Sequence, residues 1–213
     1  MRRTVLLAAA LVALSSSPAY AAYPYAITRI TPAVKARIMG VSYHTGCPVP
    51  LRSLRYVRLR YWDFRHRPQT GELIVNRDAA GSIVRAFRRL YANGYEIRRM
   101  RLVDAYGGSD FDSIEADNTS AFNCRFVDGT HRWSNHAFGR AVDVNPLENP
   151  YVSANGTTSH PRSRRYVDRS RRRHHAMILR GDRTVHAFAS QGWGWGGNFV
   201  GAKDYQHFSA DGR

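Results

Sequence analysis

Ser134-Asn135-His136-Ala137-Phe138-Gly139-Arg140-Ala141-Val142-Asp143 is the stretch on which the reading of this 213-residue chain turns. Gly139 allows a sharp turn after His136, and residues 140–144 have the character of a short strand. On such a strand Ala141 and Asp143 share one face while Val142 and Val144 share the other. Asp143 is thus directed away from the layer the valines would bury. Sixty residues on, Asp204-Tyr205-Gln206-His207 leads into a second candidate strand at 205–208. His136, Asp143 and His207 together have the composition of an open zinc site, in which three protein ligands leave the fourth position to water. Asp204 is then the expected base for that water. Asp204 and His207 lie an odd number of positions apart and would point to opposite faces of a regular strand. Asp204 is therefore expected in a turn or a distorted strand onset, for which Gly196, Gly197 and Gly201 leave room.

The two clusters together resemble the signature of the D-alanyl-D-alanine carboxypeptidase-like zinc peptidases of the VanY type, S-x-H-x-x-G-x-A-x-D followed far downstream by an acidic residue, two others and His. Further blocks look similar in order: Tyr106-Gly107-Gly108, Asn118 through Arg125, Asn145-Pro146, Gly192 through Gly197, and Lys203-Asp204-Tyr205. The resemblance spans about residues 39–208. It implies a Hedgehog/DD-peptidase-like fold, one Zn2+ per chain, and a role in cell-wall peptide hydrolysis. It also implies that Arg125 binds substrate with Ser120 as a helper, and that the position of Asp204 is often Glu in the family.

The N-terminus carries Arg2 and Arg3, ten apolar residues from Val5 to Leu14, and Ala19-Tyr20-Ala21. This reads as a secretory signal over residues 1–21, cut after Ala21, and it is too short for the roughly 20 apolar residues of a membrane span. The expectation is one exported domain over 22–213, periplasmic, secreted or wall-associated, and monomeric. Cys47 and Cys124 are the only cysteines, and in an oxidising compartment they are expected to be bridged. The formal net charge of +16 implies attraction to polyanions, with anionic wall polymers among the candidates. Residues 162–175 hold seven arginines and two histidines. They read equally as a solvated loop or as an adhesive strip.

Along the chain, Thr31-Pro32 opens a short helix that Gly40 closes. Residues 54–64 read as a half-buried strand, with 66–71 as a turn and 72–75 as the returning strand. Ile83, Val84, Phe87, Leu90 and Tyr91 recur at helical spacing from Asp78 to Gly94. Residues 97–103 and 122–126 are further strand candidates. A long irregular insertion is expected over 146–180, and a helix over 184–191. Strands in a run with helices on one side point to an α+β domain, an antiparallel sheet flanked by helices with a zinc cleft.

Single residues carry less weight than the constellation. A carboxylate such as Asp143 is more often salt-bridged by an arginine, and a lone His is more often a satisfied surface or core residue. His66, His160, His174 and His186 are expected to have no metal role, and His131 at most a supporting one. Arg125 can grip a carboxylate or steady an oxyanion. Trp193 and Trp195 could wall a cleft but equally suit a core. The leading function is peptidoglycan stem-peptide hydrolysis, with an endopeptidase as its nearest variant. A basic secreted nuclease and a noncatalytic wall-binding module are the other readings. The nuclease leaves Asp204 and His207 without a purpose, and the binding module leaves Asp204 without one.

Overall fold

A computed structural model describes residues 23–212; the expected signal segment lies outside the described residues. Strand β1 (Tyr25–Arg29) leads into helix α1 (Pro32–Ile38), whose first turn is capped by the Thr31 hydroxyl accepting from the Val34 N–H at 3.3 Å. Strands β2 (Leu54–Trp62) and β3 (Pro68–Asn76) form a long hairpin, and β1 adds antiparallel to β2. The return strand begins at Pro68, so most of the segment expected as turn is already in register with β2.

Helix α2 (Ala80–Ala92) turns Ile83, Phe87 and Leu90 onto this sheet, as its periodicity predicts. After it come β4 (Arg99–Met100), α3 (Asp110–Glu115), β5 (Asn118–Thr119), β6 (Ala141–Asp143), β7 (Tyr151–Val152), α4 (Arg183–Ala189), β8 (Gly194–Trp195), β9 (Lys203–Asp204) and β10 (His207–Ser209). The architecture is mixed α+β, built from several small sheets rather than one. The second three-stranded sheet, β6-β10-β8, is antiparallel and carries the downstream motifs. Two-stranded pairs join β4 to β5 in parallel and β7 to β9 in antiparallel orientation.

One core binds the two larger sheets. Val142 and Val144, both fully buried, meet Phe208 and Trp195 below the second sheet, and Val57, Leu59 and Phe87 come from the first. Phe188 of α4 joins them, stacked on Phe208 at 4.0 Å and edge-on to Phe87 at 5.8 Å. Full burial of each such ring contributes roughly 1.5–3 kcal/mol.

Three expectations are corrected. Only Arg99–Met100 of residues 97–103 is strand, and residues 122–126 form none: Phe126 bridges Trp133 alone, and Arg125 lies in irregular chain. The segment 146–180 is not wholly irregular, since it holds β7 and a 3-10 turn at Pro161–Tyr166, and although most arginines of 162–175 are exposed, part of it is packed. Its Ala176, Met177 and Ile178 are fully buried around Asn149, whose amide donates to the carbonyls of Val144, Asn145 and Ala176. Arg169 of the basic run turns inward, donating to the Glu148 and Ile178 carbonyls at 2.7 and 2.6 Å and covering the Tyr205 ring. Both terminal nitrogens of the guanidinium find acceptors, which offsets much of the cost of burying it, although its Nε has none.

Candidate metal centre

The residues around His136 fold into a 3-10 turn whose Ser134 hydroxyl accepts from the His136 N–H at 3.3 Å. Gly139 ends that turn in the left-handed region, φ 66°, and a Cβ there would stand 2.6 Å from the Asn76 nitrogen. Only glycine meets both demands. The chain then enters β6, where Asp143 pairs directly with His207 of β10. Turn and strand pairing thus deliver all three side chains to one point.

The contact is close. His136 Nε2 stands 3.2 Å from Asp143 Oδ2 and 3.3 Å from His207 Nδ1, and His207 Nδ1 stands 3.1 Å from Asp143 Oδ1. All three residues are buried. The His136 Nδ1 faces the Ala121 carbonyl, which can only accept, so Nδ1 carries the proton and Nε2 presents its lone pair to the cluster. Ligands about 2.1 Å from a tetrahedral ion lie roughly 3.4 Å apart, close to these spacings. Two imidazoles and a carboxylate also suit zinc in type, so the donor set fits a metal ion. Burial alone would push the Asp143 carboxyl up; with no cation present, His136 and His207 hold it well below the usual carboxylate range only when the ring nitrogens facing it carry protons, a place that a bound cation would take over.

Asp204 ends β9, and Tyr205-Gln206 form a bend before His207 starts β10, which removes the parity conflict between Asp204 and His207. Gly196 makes this possible: a Cβ there would stand 2.5 Å from the Asp204 carbonyl oxygen. The Asp204 Oδ1 atom is buried with no hydrogen-bond partner. Burial pushes its carboxyl up to about 7; His207 opposes that shift and the Asp143 charge adds to it.

The cluster and Asp204 line one cavity of about 750 Å³, which Arg125 also lines. Arg125 donates to Asp110 Oδ2 at 2.8 Å and to the Phe126 carbonyl, while its Nε is buried without a partner. Ser120 is buried beneath Asp143 and exchanges both backbone hydrogen bonds with it, at 3.1 and 2.9 Å; it is not among the residues lining the cavity. The cysteines form the Cys47–Cys124 disulfide, which ties the segment before Arg125 to the N-terminal part of the chain. Trp193 and Trp195 belong to the core, their indole N–H groups donating to Ser82 Oγ and the Tyr205 carbonyl. His131 is exposed beside Phe126, away from the cluster.

Sequence reading missed Asp110, the partner of Arg125, and the wall formed by Phe111 stacked on His160 at 4.7 Å. The His160 Nδ1 lies 2.7 Å from Glu115 Oε1, which identifies it as a held wall residue. No local signal marks such residues, because α3 and the insertion meet only in the folded chain.

No curated protein and no solved structure matches the chain. Residues 128–210 match a family model described as D-alanyl-D-alanine carboxypeptidase. That segment contains His136, Asp143, Asp204 and His207, while Arg125, Ser120 and the earlier blocks precede it. Over the part of the chain that builds the buried cluster and its acidic neighbour, the protein is similar to that peptidase family.

Proposed function

We propose that this protein is an exported zinc peptidase that hydrolyses peptidoglycan stem peptides, releasing a terminal D-alanine. One observation carries the reading: three ligand side chains converge, with contacts of 3.1–3.3 Å, on the wall of a cavity that also holds the partnerless Asp204 oxygen. Similarity to the carboxypeptidase family over 128–210 supports the choice of substrate.

His136 through Nε2, Asp143 through its carboxylate and His207 through Nδ1 would hold one zinc. When bound, the ion supplies Lewis acidity to a peptide carbonyl and acidifies water. Asp204 Oδ1 would accept a proton from the attacking water and return it to the departing amine, a task that fits a buried carboxyl oxygen with no other partner on the cavity wall. Arg125 offers its guanidinium to the terminal carboxylate of the peptide, with Asp110 orienting the fork. Ser120 contributes through the backbone pair that holds Asp143 in place.

The test is D-alanine release from stem-peptide analogues by wild type and Asp204→Asn at equal zinc loading. The amide binds water but cannot take its proton, so turnover should fall by about 100- to 10,000-fold. Near wild-type turnover removes Asp204 from the mechanism. Cleavage inside the stem without D-alanine release assigns an endopeptidase, and a zinc-loaded wild type inert to every stem peptide points to a wall-binding module.

A further inference from the structure

Away from the metal cavity, the ends of β1, β2 and β3 enclose a second concavity of about 510 Å³. Four arginines line it, Arg29, Arg52, Arg55 and Arg77, with Ile30 and Leu54 among its apolar surface and no carboxylate. Among the described residues, the arginines in ion pairs with carboxylates are others, such as Arg37, Arg67 and Arg140. Arg29, Arg52 and Arg77 are exposed at the rim of the concavity, while Arg55 is half-buried and anchored, and the backbone beside Arg77 is fixed. Arg55 donates from Nη1 to the carbonyls of Arg52 and Leu54 at 3.0 and 2.8 Å, and the Arg77 N–H donates to the Ser53 carbonyl at 2.8 Å.

A second observation is independent of the cavity. The strand register sets Arg29 directly opposite Arg55. Like charges in directly opposed antiparallel positions destabilise the pair. Elsewhere in the same strand the chain avoids this, setting Arg58 opposite Glu72. Arg55 is eased by its two carbonyl acceptors, but no carboxylate lines the concavity beside the Arg29–Arg55 pair, so its positive charge is left without a counter-charge.

We infer that this concavity is an anion site for a phosphate group, as a phosphomonoester or a phosphodiester. A single carboxylate offers two oxygens and one charge and leaves most of the arginine donors unused. A phosphate brings a tetrahedral set of acceptors and up to two charges, and arginine forks match it bidentately. None of the four arginines lines the metal cavity, so an anion held here leaves that cavity accessible. The two are nonetheless neighbours in the fold: the Asn76 N–H, next to Arg77, donates to the Gly139 carbonyl of the turn that carries His136.

The probe is inorganic pyrophosphate, titrated calorimetrically into the full chain at constant ionic strength. Arg29→Gln/Arg77→Gln removes two lining charges; Arg65→Gln/Arg88→Gln removes two exposed charges elsewhere and serves as the control. Saturable binding near one per chain is expected for wild type and control. The pocket variant should bind on the order of 100-fold more weakly, about tenfold for each charged hydrogen-bonding group lost. In the absence of anion, Arg29→Gln alone should raise the unfolding midpoint, because it relieves the cross-strand repulsion. Cosedimentation with phosphatidylglycerol vesicles, lost only in the pocket variant, assigns the phosphate to a lipid headgroup; pyrophosphate binding without vesicle binding assigns it to a soluble or polymer-borne phosphate. Equal loss in both double variants reduces the effect to net charge and overturns the site, as does failure of wild type to bind pyrophosphate.

Discussion

His136 shows how much one proton position decides. With Nδ1 committed to the Ala121 carbonyl, its Nε2 is an acceptor facing a carboxylate and a second imidazole. Acceptors gathered at this distance repel unless a proton or a cation lies among them. Replacing His207 with Ala should therefore abolish zinc retention in elemental analysis of the purified protein; unchanged zinc would refute the ligand set. Arg125→Ala should leave zinc in place and act on substrate. Its signature is a raised KM for stem-peptide analogues, because the positively charged partner of the terminal carboxylate is gone. The contrast with Asp204→Asn, which should act on kcat, separates binding from proton transfer.

Two elements position these side chains, the turn ending at Gly139 and the β6–β10 pair. Gly139→Ala places a Cβ against the Asn76 backbone nitrogen in a left-handed conformation, a conformation that by itself costs roughly 1–2 kcal/mol. The unfolding midpoint should fall, and zinc affinity should fall with it because His136 rides on that turn. Loss of stability with unchanged zinc affinity would show that the turn does not position the ligand. The disulfide acts on a longer loop: Cys47 and Cys124 are 77 residues apart, so the cross-link removes much of the freedom of the unfolded chain. Reduction should lower stability by about 2–5 kcal/mol, read as a shift of the denaturation midpoint.

Across the molecule, the insertion is joined to the body through a buried pair of carboxyls, Asp117 and Glu148. Burial, with the neighbouring Asp117 adding to it, pushes Glu148 up to about 8. Its folded value lies above its unfolded one, so the folded state retains a proton that the unfolded chain releases. Stability is then undiminished below the ordinary glutamate range and declines as pH rises from there to about 8, beyond which the penalty is constant. Glu148→Gln removes the titration and preserves the shape. The stability of the variant relative to wild type should therefore grow between pH 5 and pH 8 in thermal unfolding; parallel pH profiles would count against the pair.

Residue type and spacing alone carried the candidate site and the punctuation of the chain. They singled out His136, Asp143, Asp204 and His207, the helical spacing of Ile83, Phe87 and Leu90 located α2, and two cysteines left one possible intramolecular bridge. These features are local, or belong to a pattern that survives without coordinates. Tertiary structure decided what depends on neighbours brought from far along the chain. β1 has no buried face to imprint a pattern on its residues, so it is read only from its pairing with β2. The insertion lacks a period because its order comes from hydrogen bonds converging on Asn149 and from the inward turn of Arg169, not from a repeating apolar face. The pairing of Arg125 with Asp110, the wall of Phe111 and His160, and the four-arginine concavity likewise exist only where separate elements meet.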